Sequence, residues 1–183
     1  NVGITPDGEK VYVAIARGSG GVDVIDTATR TNIRHIPTLG GVHNVFVTPD
    51  GKHAVAGMIG ARALTVIDTA TDEPVWTKVL DDGVRPMEFD VNPDGSTKRI
   101  FVEVSGFHGF YVLDFETQEV VEKVQLPKLP LSQVDNDSIQ GSPSHGLART
   151  VDGQTLWVAS KPHNSVYAYS LPELELQGRI LVG

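Results

Sequence analysis

The chain has 183 residues, 40% hydrophobic and 21% charged, which is enough to bury a sizeable core and ordinary for a globular protein. Its net charge of -8 supplies no basic face for phosphates and argues against a general nucleic-acid binder. Cysteine is absent, which excludes disulfides, thiolate nucleophiles and Cys-ligated metal sites, and no apolar run of about 18 residues could span a membrane. The chain starts at Asn1 rather than Met and shows no signal peptide, so a leader or more is expected to have been removed or left out.

In chain order, the first recognisable element is Thr5-Pro6-Asp7-Gly8. It returns as Thr48-Pro49-Asp50-Gly51, then as Asn92-Pro93-Asp94-Gly95 and, worn, as Thr150-Val151-Asp152-Gly153. Pro presets φ, Asp bonds nearby backbone and Gly accepts positive φ, so each copy predicts a tight turn. Alternating apolar residues flank each copy, which makes these hairpin turns. The spacing from Pro6 to Pro49 is 43 residues and from Pro49 to Pro93 is 44. Pro93 to Val151 is 58, an interval that carries an insertion at 127–144.

A second landmark keeps the same phase. Val24-Ile25-Asp26-Thr27-Ala28-Thr29 recurs at 66–71 and, as Val112-Leu113-Asp114-Phe115-Glu116-Thr117, at 112–117, with a degraded copy at 167–172. In the second repeat the pattern predicts strands at about 44–48, 53–58, 63–68 and 74–80. No segment has a 3.6-residue apolar period, so almost no helix is expected. Four-stranded repeats of this length predict an all-β protein with four antiparallel propeller blades, at about 1–42, 43–84, 85–144 and 145–183 of a single domain.

Pro-Asp-Gly, then Val11-Tyr12-Val13-Ala14, then Val24-Ile25-Asp26-Thr27-Ala28-Thr29 resembles the YVTN-type propeller repeat. Leu156-Trp157-Val158-Ala159-Ser160 and Val166-Tyr167-Ala168-Tyr169 resemble it more loosely. The resemblance implies a secreted, periplasmic or surface-layer propeller, and a ring usually closed by about seven blades. Four blades would leave two sheet faces open. A longer chain, two half-rings pairing as a homodimer, or a four-bladed ring would each resolve this; a partial chain is the favoured expectation.

In such a blade, with strands a to d in order, the d–a connections and b–c loops share one face. That face gathers His43, His108, His145 and His163 with Arg17, Arg62, Arg85 and Lys161. His43 and His145 occupy the same repeat position at the start of the innermost strand, and Arg85 the matching one. The imidazoles could ligate a transition metal, could join Arg85 in an anion site, or could simply line a channel. His108 and His163 sit in matching b–c loops, as ligand contacts or as solvent-exposed residues. His35 and His53 read as structural or surface residues. Asp135, Asn136 and Asp137 in the insertion resemble a fragment of a calcium loop, but the remaining ligands of an EF-hand are missing.

No nucleophile elbow, Walker loop or His-Glu-x-x-His is present. The leading expectation is therefore a non-catalytic envelope module without a cofactor. It would bind a protein or small ligand through His43, Arg62, Arg85, His108, His145, Lys161 and His163. The alternatives are a metal- or haem-dependent redox or lactonase-like enzyme using the same histidines, with His43 and His145 as metal ligands, and a surface-layer spacer.

Overall fold

The computed structural model describes residues 1–135 and 141–182. It contains four four-stranded antiparallel sheets. The first joins β1 (Val2–Ile4), β2 (Lys10–Ile15), β3 (Gly21–Asp26) and β4 (Thr31–Ile36). The second joins β5 (Asn44–Val47), β6 (His53–Met58), β7 (Ala63–Asp68) and β8 (Glu73–Val79). The third holds β9 (Val84–Val91), β10 (Thr97–Val104), β11 (Gly109–Asp114) and β12 (Val120–Gln125). The fourth holds β13 (Ser144–Arg149), β14 (Thr155–Ser160), β15 (Ser165–Ser170) and β16 (Leu176–Leu181). Among the described residues the only helical turn is a 3-10 turn at Leu131–Gln133, and no helix is long and apolar enough to cross a membrane.

The repeated tetrapeptides form the turns their chemistry requires. The Gly amide donates to the carbonyl three residues earlier at Gly8, Gly51 and Gly153 (each 2.8 Å) and at Gly95 (2.9 Å). In three copies the Thr hydroxyl donates to the Asp carboxylate, at 2.6 Å for Thr5–Asp7, 2.7 Å for Thr48–Asp50 and 2.6 Å for Thr150–Asp152. The second landmark is equally mechanical. The Asp68 carboxylate accepts the amides of Ala70 (2.9 Å) and Thr71 (2.8 Å) and the Thr71 hydroxyl (3.0 Å). Asp26 and Asp114 bond Thr29 and Thr117 in the same way. These bonds hold all three carboxyls below the usual range, because they favour the charged form. Asp68→Ala should cost about 1 kcal/mol, read as a lower urea midpoint at unchanged m-value.

The chain divides into two compact units, Asn1–Arg85 with Val91–Thr97, and Pro86–Asp90 with Lys98–Gly183. In the first unit, alternation along β2 and β3 turns Tyr12, Val22 and Val24 toward Ala54, Ala56, Ala63 and Ile67 of the second sheet. The second unit repeats the scheme with Phe101, Phe110 and Val112 against Leu156, Val158, Tyr167 and Tyr169. Each face is apolar because it is covered by a neighbouring sheet, and each fully buried large side chain contributes about 1.5–3 kcal/mol. Arg99 holds Asp90 at 2.6 Å and donates at 3.1 Å to the Pro172 carbonyl, which ties the polar ends of the two sheets in this unit.

Candidate functional site

The residues singled out in the sequence fall in both units. His43, Arg62 and Arg85 belong to the first; His108, His145, Lys161 and His163 belong to the second. His43 is exposed, and its Nδ1 lies 3.1 Å from Asn44 Nδ2. Arg62 is exposed, donates to the Asp81 carbonyl at 3.4 Å and stands 3.9 Å from Asp82; Arg85 is half-buried. His145 is exposed, in a different unit from His43, so no shared site is described for that pair. Among the described residues no group of three or more His, Asp or Glu could hold a metal. Asn136 and Asp137 of the suggested calcium fragment lie outside the described residues.

The second unit does bring His108 and His163 together. Their rings meet edge to face, with centroids 4.5 Å apart and planes at 82°. Each ring has one nitrogen committed: His108 Nε2 shares a 2.8 Å hydrogen bond with Ser160 Oγ, and His163 Nδ1 one of 2.7 Å with the Tyr167 hydroxyl. They are not the solvent-exposed loop histidines that one reading allowed. His163 is 5% exposed and His108 half-buried. The cause is local. In the loop Lys161-Pro162-His163-Asn164, the Asn164 amide bonds the Lys161 carbonyl at 3.0 Å and Asn164 takes φ 45°; the Ser165 hydroxyl bonds the His163 carbonyl at 2.6 Å. This turns the ring inward.

The same unit buries a carboxyl, Glu103, which is 0% exposed. It follows Phe101 by two positions on β10, so alternation aims it at the fourth sheet. A bulge between Ser144 and Leu147 interrupts the β13 ladder, and there the Gly146 amide donates to Glu103 Oε2 at 2.7 Å. Glu103 Oε1 and Ser144 Oγ are buried without a hydrogen-bond partner among the described residues. Burial pushes the Glu103 carboxyl up to about 8, against the Gly146 bond and the Lys161 charge, which both favour ionisation. Burial likewise carries His108 down to about 4, helped by the charge on His163. His163 is held below its ordinary value by burial first and by the Arg179 guanidinium second. Burial thus disfavours the charged form of both imidazoles and of the Glu103 carboxyl alike.

Of these residues His163 also borders a cleft of about 610 Å³, lined further by Asn164 of the loop, Arg179 and Leu181 of β16, and Ser132, Gln133, Val134 and Asp135 of the insertion. The Asp135 amide bonds the Pro162 carbonyl at 2.7 Å, which joins the described part of the insertion to the histidine loop. Arg179 has no carboxylate partner among the described residues. The cleft is therefore a concave surface lined by a guanidinium, a buried imidazole and a carboxylate.

Glu103, Ser160, Tyr167 and Arg179 were not singled out in the sequence. Glu103 carried a signal: one acid within the apolar run Ile100-Phe101-Val102-Glu103-Val104, on the face of Phe101. Arg179 carried none, since an arginine on an outer strand is ordinary.

Neither a family model nor a curated protein sequence matches the chain. Among solved structures it is similar to Kuenenia stuttgartiensis hydrazine synthase, at 19% identity and TM-score 0.61, over 100% of this chain and 74% of that one. At that identity the likeness concerns fold alone, and with the four antiparallel sheets it makes this chain a β-propeller-like, all-β protein.

Proposed function

We propose that the chain is a YVTN-type propeller module of the cell envelope that binds a small ligand in the cleft of the second unit. The observation that carries this is the cleft itself, lined by the described part of the long insertion, the buried His163 and the exposed Arg179. Long loops seated on a rigid sheet scaffold are where binding tends to be placed. Arg179 suits an anionic group and Asp135 a hydrogen-bond donor. A small molecule with both, such as an amino acid or an amino-sugar acid, fits this lining. The envelope location follows from the resemblance of the repeat.

Titration calorimetry against free amino acids, amino-sugar acids and simple hydroxy acids tests the reading. At least one class should bind saturably, and Arg179→Ala should weaken it at least tenfold without changing the thermal midpoint. No saturable heat at millimolar ligand, or binding unchanged in Arg179→Ala, would end the proposal.

A further inference from the structure

His163 belongs both to the buried cluster of rings and to the lining of the cleft. Its Nδ1 lies 2.7 Å from the Tyr167 hydroxyl. A hydroxyl donates to a bare ring nitrogen or accepts from a protonated one, so this bond survives in either charge state of the imidazole. Tyr167 stands directly opposite Arg179 in the β15–β16 ladder. Residues paired in an antiparallel ladder present their side chains on one face. The sheet therefore sets the guanidinium on the same side as the tyrosine that holds the imidazole, and Arg179 and His163 meet the same cleft.

The charged and titratable groups around the ring come from several elements. Arg179 is supplied by β16, and Lys161 stands two residues away in the same loop. His108, from the connection between β10 and β11, meets the ring edge to face with centroids 4.5 Å apart. Asp135 of the insertion lines the cleft, and its amide is held by the Pro162 carbonyl at 2.7 Å. The Arg179 and Lys161 charges oppose a further positive charge on His163, whereas the Asp135 carboxylate favours one. Burial first, and the Arg179 guanidinium second, hold the ring below its ordinary value. An anion seated on Arg179 cancels that opposition and brings a negative charge into the same cleft. Proton and anion then favour each other's binding by the same free energy.

We infer that a carboxylate docking on Arg179 draws a proton from solvent onto His163, so that the cleft takes up acid ligands together with a proton and holds them more tightly in mildly acid than in neutral solution. This rests on the cleft being the ligand site. The imidazolium so formed keeps its Nδ1–H bonded to Tyr167.

An NMR pH titration of ring-labelled histidine in the full chain tests this, in sodium chloride and in sodium acetate of equal ionic strength, with acetate as the minimal carboxylate. The His163 midpoint should be higher in acetate by about 0.5 pH unit. Arg179→Gln, a change at an exposed position, should raise the midpoint in chloride by a similar amount and remove the further rise in acetate. His43, in the other unit, serves as the reference ring and should titrate alike in all samples. Any amino acid or amino-sugar acid that binds should do so about threefold or more tightly at pH 5.5 than at pH 7.5. A His163 midpoint equal in the two salts, or equal in wild type and Arg179→Gln, would overturn the inference. Binding of such a ligand without these midpoint shifts ends the proton coupling and leaves the ligand site standing. The midpoint shifts without a bound member of those classes uphold the coupling and end only the choice of ligand.

Discussion

Replacing Asp72 by alanine is expected to destabilise the protein by about 3–5 kcal/mol, because a buried charge pair loses one member. Asp72 is 7% exposed and accepts from Tyr12 Oη at 2.6 Å and Lys10 Nζ at 2.7 Å. Tyr12 is fully buried, so removal of the carboxylate leaves a hydroxyl with neither partner nor water. The carboxylate is also what, after burial, pushes the Tyr12 hydroxyl above its ordinary pKa. Asp72 adopts φ 56°, which alanine tolerates less well than aspartate. Asp72→Asn keeps the backbone preference and an acceptor for Tyr12 and should cost only about 1–2 kcal/mol. Tyr12→Phe, which removes the donor while Lys10 still pairs the acid, should cost about 1 kcal/mol. Urea unfolding of the three variants checks the order. Asp72→Ala within 1 kcal/mol of wild type would show that the junction does not depend on this pair.

The second large effect is a change in pH dependence. Glu103 keeps its proton in the folded state up to about 8, whereas the unfolded chain releases it near 4.5. The folded state therefore binds more protons between those values. Its stability contribution is complete below about 4.5 and is lost as pH rises through 8. His108 acts in the opposite sense. Its folded value of about 4 lies below the ordinary 6.5, so the unfolded state binds more protons between them, and stability falls as pH drops through that window. The two together predict greatest stability between about 4.5 and 6.5, where their slopes oppose each other. Glu103→Gln removes the alkaline limb, and should be more stable than wild type by about 2–4 kcal/mol at pH 9 while differing little at pH 5. The half-buried His108 is partly screened by solvent, so the acid limb removed by His108→Asn is smaller, on the order of 1–2 kcal/mol. Denaturant melts at pH 4, 5, 7 and 9 check both. A Glu103→Gln protein that tracks wild type at every pH would mean the carboxyl is ionised at neutrality.

The repeat was legible because its chemistry is local. Thr48-Pro49-Asp50-Gly51 and the Asp68–Thr71 turn close through side chains within three residues, and alternation does the rest. The strands expected at 53–58 and 63–68 are His53–Met58 and Ala63–Asp68. Strand d, expected at 74–80, is Glu73–Val79, one residue earlier at each end. The site was legible only in part. His108 and His163 were placed on one face, but not in contact, because their meeting depends on how the third and fourth sheets pack. Repeat equivalence grouped His43 with His145, yet an equivalent position in another blade is a statement about symmetry rather than distance. Glu103 shows the same limit: its hydrogen bond from the Gly146 amide is made at a bulge that Ser144-His145-Gly146 announces only through its glycine.

The proposed ligand site is the cleft of the second unit. The most direct measurement is an NMR titration of ring-labelled histidine with the amino-acid and amino-sugar-acid panel. The imidazole signals of His163 and, through its perpendicular contact, His108 should shift saturably with one ligand class, while His43 stays unchanged. Saturable shifts confined to His43, or none at His163, would contradict it.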